Sequence, residues 1–295
     1  MHQATKVQNT GRNPPGCSDW TGVTATVFAD PALTGTRATV WLTGKRPRAE
    51  LMARLAAVDP HEACCFTWRE RGRVRALCFN DGVRVRFCGH GLLACAAARW
   101  QVDGPVQAMD SGAAVYPVQR EAPDFFWLAT SRIRCLTEAL PPRDWFDIAP
   151  QSAALAGGDA GYWILRWPLG FDLVRLRPGL DAICRSTHRA VIATAEAGRG
   201  ADHDIVVRYF APQYGKEEDT ATGSAAAVLG AFWNRPALVA LQLPGDRIRR
   251  DGDRRRGGRI RVHTAGEEIR IGGTVTLDTQ VVAGCTLGRS EVDTA

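Results

Sequence analysis

The stretch Glu217 to Trp233, EEDTATGSAAAVLGAFW, constrains the chain most. Three acids lead into Thr-Gly-Ser and then into a run with almost no polar atoms. Asp219 and Thr222 are good N-cap residues, and a helix that is apolar all round has to be buried. The expectation is a helix driven into a core with its N-terminus open at a cleft. Free N–H groups and the helix dipole make such an end an anion site, and Gly223 lets a ligand approach the backbone. A second stretch, Phe87 to Trp100 (FCGHGLLACAAARW), has the same make: strand, Gly-rich turn, small apolar helix. Laying Cys88 on Thr222 puts Gly89 on Gly223 and His90 on Ser224. Two such helices predict two lobes facing one site; the spacing alone is equally open to two unrelated core helices.

A length of 295 residues suits about two domains. Hydrophobic content of 45% and charged content of 23% are those of a soluble globular chain with a large core. Nine cysteines are scattered, with Cys64 and Cys65 adjacent and no CxxC spacing. They read as reduced thiols of a cytoplasmic protein, neither a disulfide framework nor a zinc site. Met1 to Gly16 has no signal-peptide core, and no apolar run is long enough to span a membrane. The net charge of +6 owes much to Arg247–Arg261, RIRRDGDRRRGGRIR, which reads as a solvated loop or hairpin face. Nucleic-acid binding is the weaker reading, since no aromatic platform is interleaved.

Along the chain, residues 1–20 read as a disordered leader, 21–135 as an N-terminal lobe, 136–280 as a C-terminal lobe whose last strand could return to the first, and 281–295 as a tail. Val23–Ala29 and Ala38–Leu42 form a hairpin-like opening. Leu51, Leu55 and Val58 have helical spacing, and Pro60 ends that helix. Strands are expected at Arg73–Phe79, Val83–Phe87, Gly161–Trp167, Ala190–Ala195, Ile205–Phe210, Leu238–Leu243, Ile260–Val262 and Ile269–Val275. Short strands broken by Gly112 and Pro123 fill Val106–Ala129. Helices are expected at Ile133–Leu140, closed by Pro141-Pro142, and at Pro178–Cys184.

Val27-Phe28-Ala29-Asp30 with Gly35, then Phe87-Cys88-Gly89-His90-Gly91, then Arg208-Tyr209-Phe210-Ala211-Pro212, Gly215, Glu218-Asp219 and Ala221-Thr222-Gly223-Ser224-Ala225 together resemble the motifs of the phenazine-biosynthesis isomerase (PhzF-like) family, which shares the diaminopimelate epimerase fold. The likeness runs from Val23 to Val275. It implies an α+β fold of two similar lobes, each a mostly antiparallel sheet wrapped around a central buried helix, with the active site at the two helix N-termini. It implies cofactor-independent proton movement on a small amino-acid-like or cyclic carboxylate, with no metal, and a homodimer. Glu62 stands near the place of the family's catalytic glutamate and matches it only across a one-residue gap; rigid counting lands on Ala63. Thr36-Arg37 replaces the family's Asn-Pro.

Cys88 occupies the place of a catalytic cysteine in related epimerases and proline racemases, and Thr222 stands where racemases carry the second. That pairing is the pattern of 3-hydroxyproline dehydratases. Cys88 is therefore either a one-sided base, acidified at a helix N-terminus, or a small buried filler. His90 is a candidate acid/base or carboxylate partner. Asp219 is a catalytic group, a substrate-amine partner or an N-cap. Gly89, Gly91, Thr222, Gly223 and Ser224 are expected to bind substrate. His61, His188, His203 and His263 have no ligand spacing. Two enzymatic readings follow: an isomerase with Glu62 as shuttle, and a Cys88-based dehydratase or epimerase. In both, the two helix ends share one carboxylate, and Gly223→Val is expected to block that spot while sparing the fold.

Overall fold

The computed structural model describes residues 20–245 and 254–278. The expected leader up to residue 19, the expected tail, and residues 246–253, which include the first part of the arginine-rich stretch, lie outside the described residues. Most of the chain is strand. β1 (Thr21–Val27), β2 (Thr36–Leu42), β3 (Ala63–Glu70), β4 (Arg73–Asn80), β6 (Ala108–Asp110), β7 (Val115–Ala122), β8 (Phe125–Ser131) and β16 (Glu268–Asp278) follow one another as hydrogen-bonded neighbours. β16 then pairs with β1, Val27 against Val275, and closes the ring into a barrel. β5 (Val83–Val85) hangs on β4. From β16 the sheet also runs on through β15 (Gly258–Ala265), β14 (Ala237–Gln242), β13 (Ile205–Phe210), β12 (Ala190–Glu196), β11 (Tyr162–Arg166) and β10 (Ser152–Ala156) to β9 (Cys135–Glu138). The pairs β2–β3, β4–β6, β11–β12 and β13–β14 are parallel and the rest antiparallel.

Few helices accompany these strands. α1 (Ala49–Ala57) buries Met52, Leu55 and Ala56 and ends before Pro60. α2 (Gly89–Asp103) packs against β1, β2, β3, β4, β6, β8 and β16, seven strands of the closed ring. Its residues from Gly89 to Arg99 are all buried, which is why it is rich in alanine: larger side chains would not fit between the walls. α4 (Gly223–Trp233) lies on β14, β15, β16 and β9, and Gly230 is needed there because a Cβ would stand 2.7 Å from a Val262 methyl. α3 (Leu180–Ser186) sits on a separate aromatic cluster with Trp145, Trp167 and Phe210.

Gly272-Gly273 in β16 has a packing cause. A Cβ on Gly272 would lie 2.5 Å from the Trp127 ring, and one on Gly273 would lie 2.5 Å from Phe28 Cδ1. Phe28 itself is fully buried with φ of 65°, a left-handed conformation that bulky residues rarely adopt. The tight turn at Gly35, φ 69°, feeds the chain back beside it.

One expected helix is overturned. Within Ile133–Leu140, Cys135–Glu138 is strand β9, paired antiparallel with β10 from Cys135↔Ala156 to Glu138↔Ala153. Leu136 and Leu140 are half exposed, so the helical spacing of apolar residues never became a buried face, and edge pairing decided the conformation. β10 itself went unforeseen, because Ser-Ala-Ala-Leu-Ala has little strand propensity.

Candidate active site

α2 and α4 begin at the same point in space. A Cβ on Gly89 would lie 3.0 Å from Gly223 Cα, and one on Gly223 would lie 3.1 Å from Gly89 Cα. Ile271 of β16 closes the third side, its Cδ1 within 2.8 and 3.0 Å of those two positions. The helix starts thus touch backbone to backbone, and only glycine permits it. This also relocates the role of Gly223. Its missing side chain makes room for the other helix, so Gly223→Val would force the helices apart rather than only block a ligand.

Beside this contact opens a cleft of about 560 Å³. Cys88, Gly89, His90, Asp219, Thr222, Gly223 and Ser224 all line it. The first amides of each helix have no carbonyl one turn back to bond, so the cleft floor carries free donors and two positive helix poles. Neither Cys88 nor Thr222, the two N-cap residues, uses its side chain to cap by hydrogen bonding.

Cys88 Sγ lies 3.8 Å from Nδ1 and 3.9 Å from Nε2 of His90. A hydrogen bond from Cys78 pulls the Cys88 thiol well below the ordinary range; burial opposes this, while the charge and hydrogen bond of His90 and the Gly91 amide add to it. Burial works to lower His90, but the Cys88 sulfur and the charge of Asp219 outweigh it and hold the imidazole above its usual value. The two shifts share a cause, since the charged form of each group favours the charged form of the other.

Asp219 is fixed from several sides. Its Oδ2 accepts from the Thr222 hydroxyl at 2.7 Å, its Oδ1 accepts from the Thr220 amide at 3.0 Å, and Lys216 Nζ stands 3.4 Å away. Asp219 is four residues ahead of α4 and does not cap it; it organises the turn that does. Gln242, at the end of β14 and 1% exposed, clamps the same turn. Its Nε2 donates to Asp219 O at 2.8 Å and to Thr222 Oγ1 at 3.1 Å, and its Oε1 accepts from the Thr222 amide at 2.8 Å. Just upstream, Arg208 holds Glu218 in a two-pronged pair, Nε–Oε1 2.6 Å and Nη2–Oε2 2.9 Å, and donates to the carbonyls of Leu173 and Leu176. The Arg208 and Glu218 positions of the motif thus anchor the segment that carries Asp219.

Two other expected residues lie elsewhere. Glu62 accepts from the Arg37 amide at 3.1 Å and lines a second cavity of about 1020 Å³ together with Asp30, Arg37 and His61. It does not line the cleft. Ala63, the residue reached by rigid counting, is fully buried at the start of β3. Gly91 faces inward onto sulfur atoms, a Cβ there lying 2.6 Å from Cys65 Sγ. Conversely, Lys216, Tyr162, Tyr209 and Gln242 belong to the site or its support and were not singled out from sequence. Gln242 carried a signal: an amide between Leu241 and Leu243 in an apolar strand has to be buried with partners. Burial raises the Tyr162 and Tyr209 hydroxyls, and a hydrogen bond that Tyr162 accepts from Ser224 works against the shift there.

A mostly-sheet fold with a closed barrel is shared with solved structures of epimerases and PhzF-family proteins. A hydroxyproline epimerase from Agrobacterium vitis superposes with a TM-score of 0.55 at 12% identity, covering 88% of this chain and 91% of its own. A PhzF-family phenazine biosynthesis protein from Enterococcus faecalis superposes with a TM-score of 0.71 at 22% identity, covering 87% and 96%. The family model of phenazine biosynthesis-like proteins matches residues 169–277. An uncharacterized isomerase of Pseudomonas aeruginosa is 29% identical over 267 residues, 85% of this chain and 93% of the relative. The chain is PhzF-like, and it is an enzyme of the isomerase type.

Proposed function

We propose that the protein moves a proton on a small amino-acid-like or cyclic carboxylate, without a cofactor, with Cys88 as the base. The arrangement is read as two lobes, each sheet wrapped on one of the helices α2 and α4, with the reaction at their shared N-termini. The observation that carries this reading is the Cys88–His90 pair on the floor of a cleft that Glu62 does not reach. The substrate carboxylate rests on the free amides at Gly89 and Gly223. Cys88 takes the proton from the neighbouring carbon. The charge left on that carbon spreads into the carboxylate, where the same amides stabilise it. His90 holds the proton that is returned to a second carbon or to the opposite face, and Asp219 keeps His90 charged. A two-thiol racemase route has less support, since Thr222 stands at the second position and its hydroxyl is already given to Asp219. The bound trans-4-hydroxy-L-proline of the Agrobacterium epimerase is a cyclic amino acid of the substrate class proposed.

The test is proton NMR in D2O with a panel of α-amino acids and cyclic carboxylates. A turned-over compound should exchange its α-hydrogen with solvent or appear as a double-bond or configurational isomer. Cys88→Ala should lower the rate by at least about 10²-fold, the usual worth of a positioned base, and Glu62→Gln should stay within about twofold of wild type. The opposite ranking would transfer the role to Glu62.

A further inference from the structure

Behind the cleft floor lies a cluster of sulfur atoms that the proposed proton transfer does not use. β3 and β4 place Cys65 directly opposite Cys78, their Sγ atoms 2.8 Å apart. α2 lays Cys95 over that pair, and the three sulfurs all lie within 4.8 Å of one another. One turn earlier on α2 stands Gly91. A Cβ there would be 2.6 Å from Cys65 Sγ, 2.8 Å from Cys78 Sγ and 3.0 Å from Cys88 Sγ. The absent side chain leaves room that the sulfurs themselves fill, so they pack against the helix backbone at this point.

We propose that Cys65, Cys78 and Cys95 form a three-sulfur binding site for a single thiophilic divalent cation of the zinc kind.

The donor set selects the ion. Three sulfurs converge and no imidazole or carboxylate joins them among the described residues, so hard, oxygen-seeking ions are disfavoured and soft or borderline ones fit. Zinc–sulfur bonds of about 2.3 Å put the sulfurs of a tetrahedral shell roughly 3.8 Å apart. The cluster is near that size; admitting the ion requires Cys65 and Cys78 to part by about 1 Å, within reach of small χ1 rotations. As free thiols these residues are poorly served. Cys65 and Cys95 are fully buried and Cys78 nearly so, and thiols are weak donors and acceptors toward each other. Binding releases a proton from each ligand still held as a thiol, and the negative charge of the sulfurs is offset by Arg99, one turn beyond Cys95 on α2 and itself buried. The route in is short: Cys88 lines the cleft and is hydrogen-bonded by Cys78, so an ion captured at Cys88 passes inward by sulfur exchange. Sequence spacing hides such a site, because its ligands sit on two strands and a helix.

The test uses the full chain, reduced and stripped with chelator, then titrated anaerobically with Co²⁺. One equivalent should produce a sulfur-to-cobalt charge-transfer band in the near ultraviolet and the d–d bands of tetrahedral coordination, both lost on adding one equivalent of Zn²⁺. Cys95→Ala, which suits an alanine-rich helix, and Cys65→Ser should each abolish the charge-transfer band with far-UV circular dichroism unchanged. Cys64→Ala, on the opposite face of β3, should retain it. Native mass spectrometry of the wild-type chain gives an independent count of bound zinc, expected to be one. Absence of the band and of bound zinc in the wild type would overturn the proposal. So would a band of full strength in folded Cys95→Ala, or a loss as complete in Cys64→Ala.

Discussion

At the scale of single residues, the site depends on groups that position as much as on groups that react. Gln242 is the clearest case. It touches no cleft residue except through the Asp219–Thr222 turn, yet it satisfies an amide, a carbonyl and a hydroxyl there. Gln242→Leu keeps the volume and leaves those partners buried without bonds, each costing about 1–3 kcal/mol. The expected outcome is a lower denaturation midpoint in urea together with a fall in kcat larger than any change in KM, because the Asp219 carboxylate loses its fixed place. Unchanged kcat in a destabilised variant would make Gln242 purely structural. The lining of the cleft was partly legible in the sequence, since Cys88, His90 and Asp219 stand inside recognisable motifs. Glu62 was placed only across a one-residue gap; β3 begins at Ala63, and Glu62 accepts from the Arg37 amide beside a second cavity.

At the scale of elements, the meeting of α2 and α4 is the feature most open to attack. Both first residues must be glycine, since each would drive a methyl group against the other backbone and against Ile271. Gly89→Ala is expected to cost about 1–3 kcal/mol, the range for overpacking a tight contact. Adding Ile271→Val removes one of the two clashes and should recover part of that loss, a coupling that a double-mutant cycle on thermal unfolding measures. Full additivity would mean that the helix ends give way elsewhere. Sequence patterning foresaw these two helices and their open ends, because an all-apolar run after a polar glycine turn has few other fates. It failed at β9 and β10, where weak local preferences yield to edge pairing. It also had no means to find the sulfur cluster, whose members become neighbours only when β3, β4 and α2 are assembled.

At the scale of the molecule, β16 belongs to two structures at once. Its residues Val275 to Asp278 close the barrel against β1, Glu268 to Thr274 pair with β8, and Glu268 to Gly272 pair with β15 to lead into the rest of the sheet. Ile271 from the same strand supports both helix starts. A chain joined this way has no plane along which one half can unfold while the other keeps its edge and its helix support. Tryptophans stand on both sides of this strand: Trp41 and Trp68 pack with α1 and β3, while Trp145 and Trp167 pack around α3. Unfolding is therefore expected as one transition, with far-UV circular dichroism and tryptophan fluorescence coincident in urea. Gly273→Val, whose first carbon would meet the buried Phe28 ring at 2.5 Å, should move both curves to lower urea together and leave their coincidence intact. Single-tryptophan chains, with the remaining tryptophans replaced by phenylalanine, separate the two sides cleanly. A midpoint for Trp167 that stays fixed while that for Trp68 falls would show that β16 does not couple them, and that the cleft is held between independently stable halves.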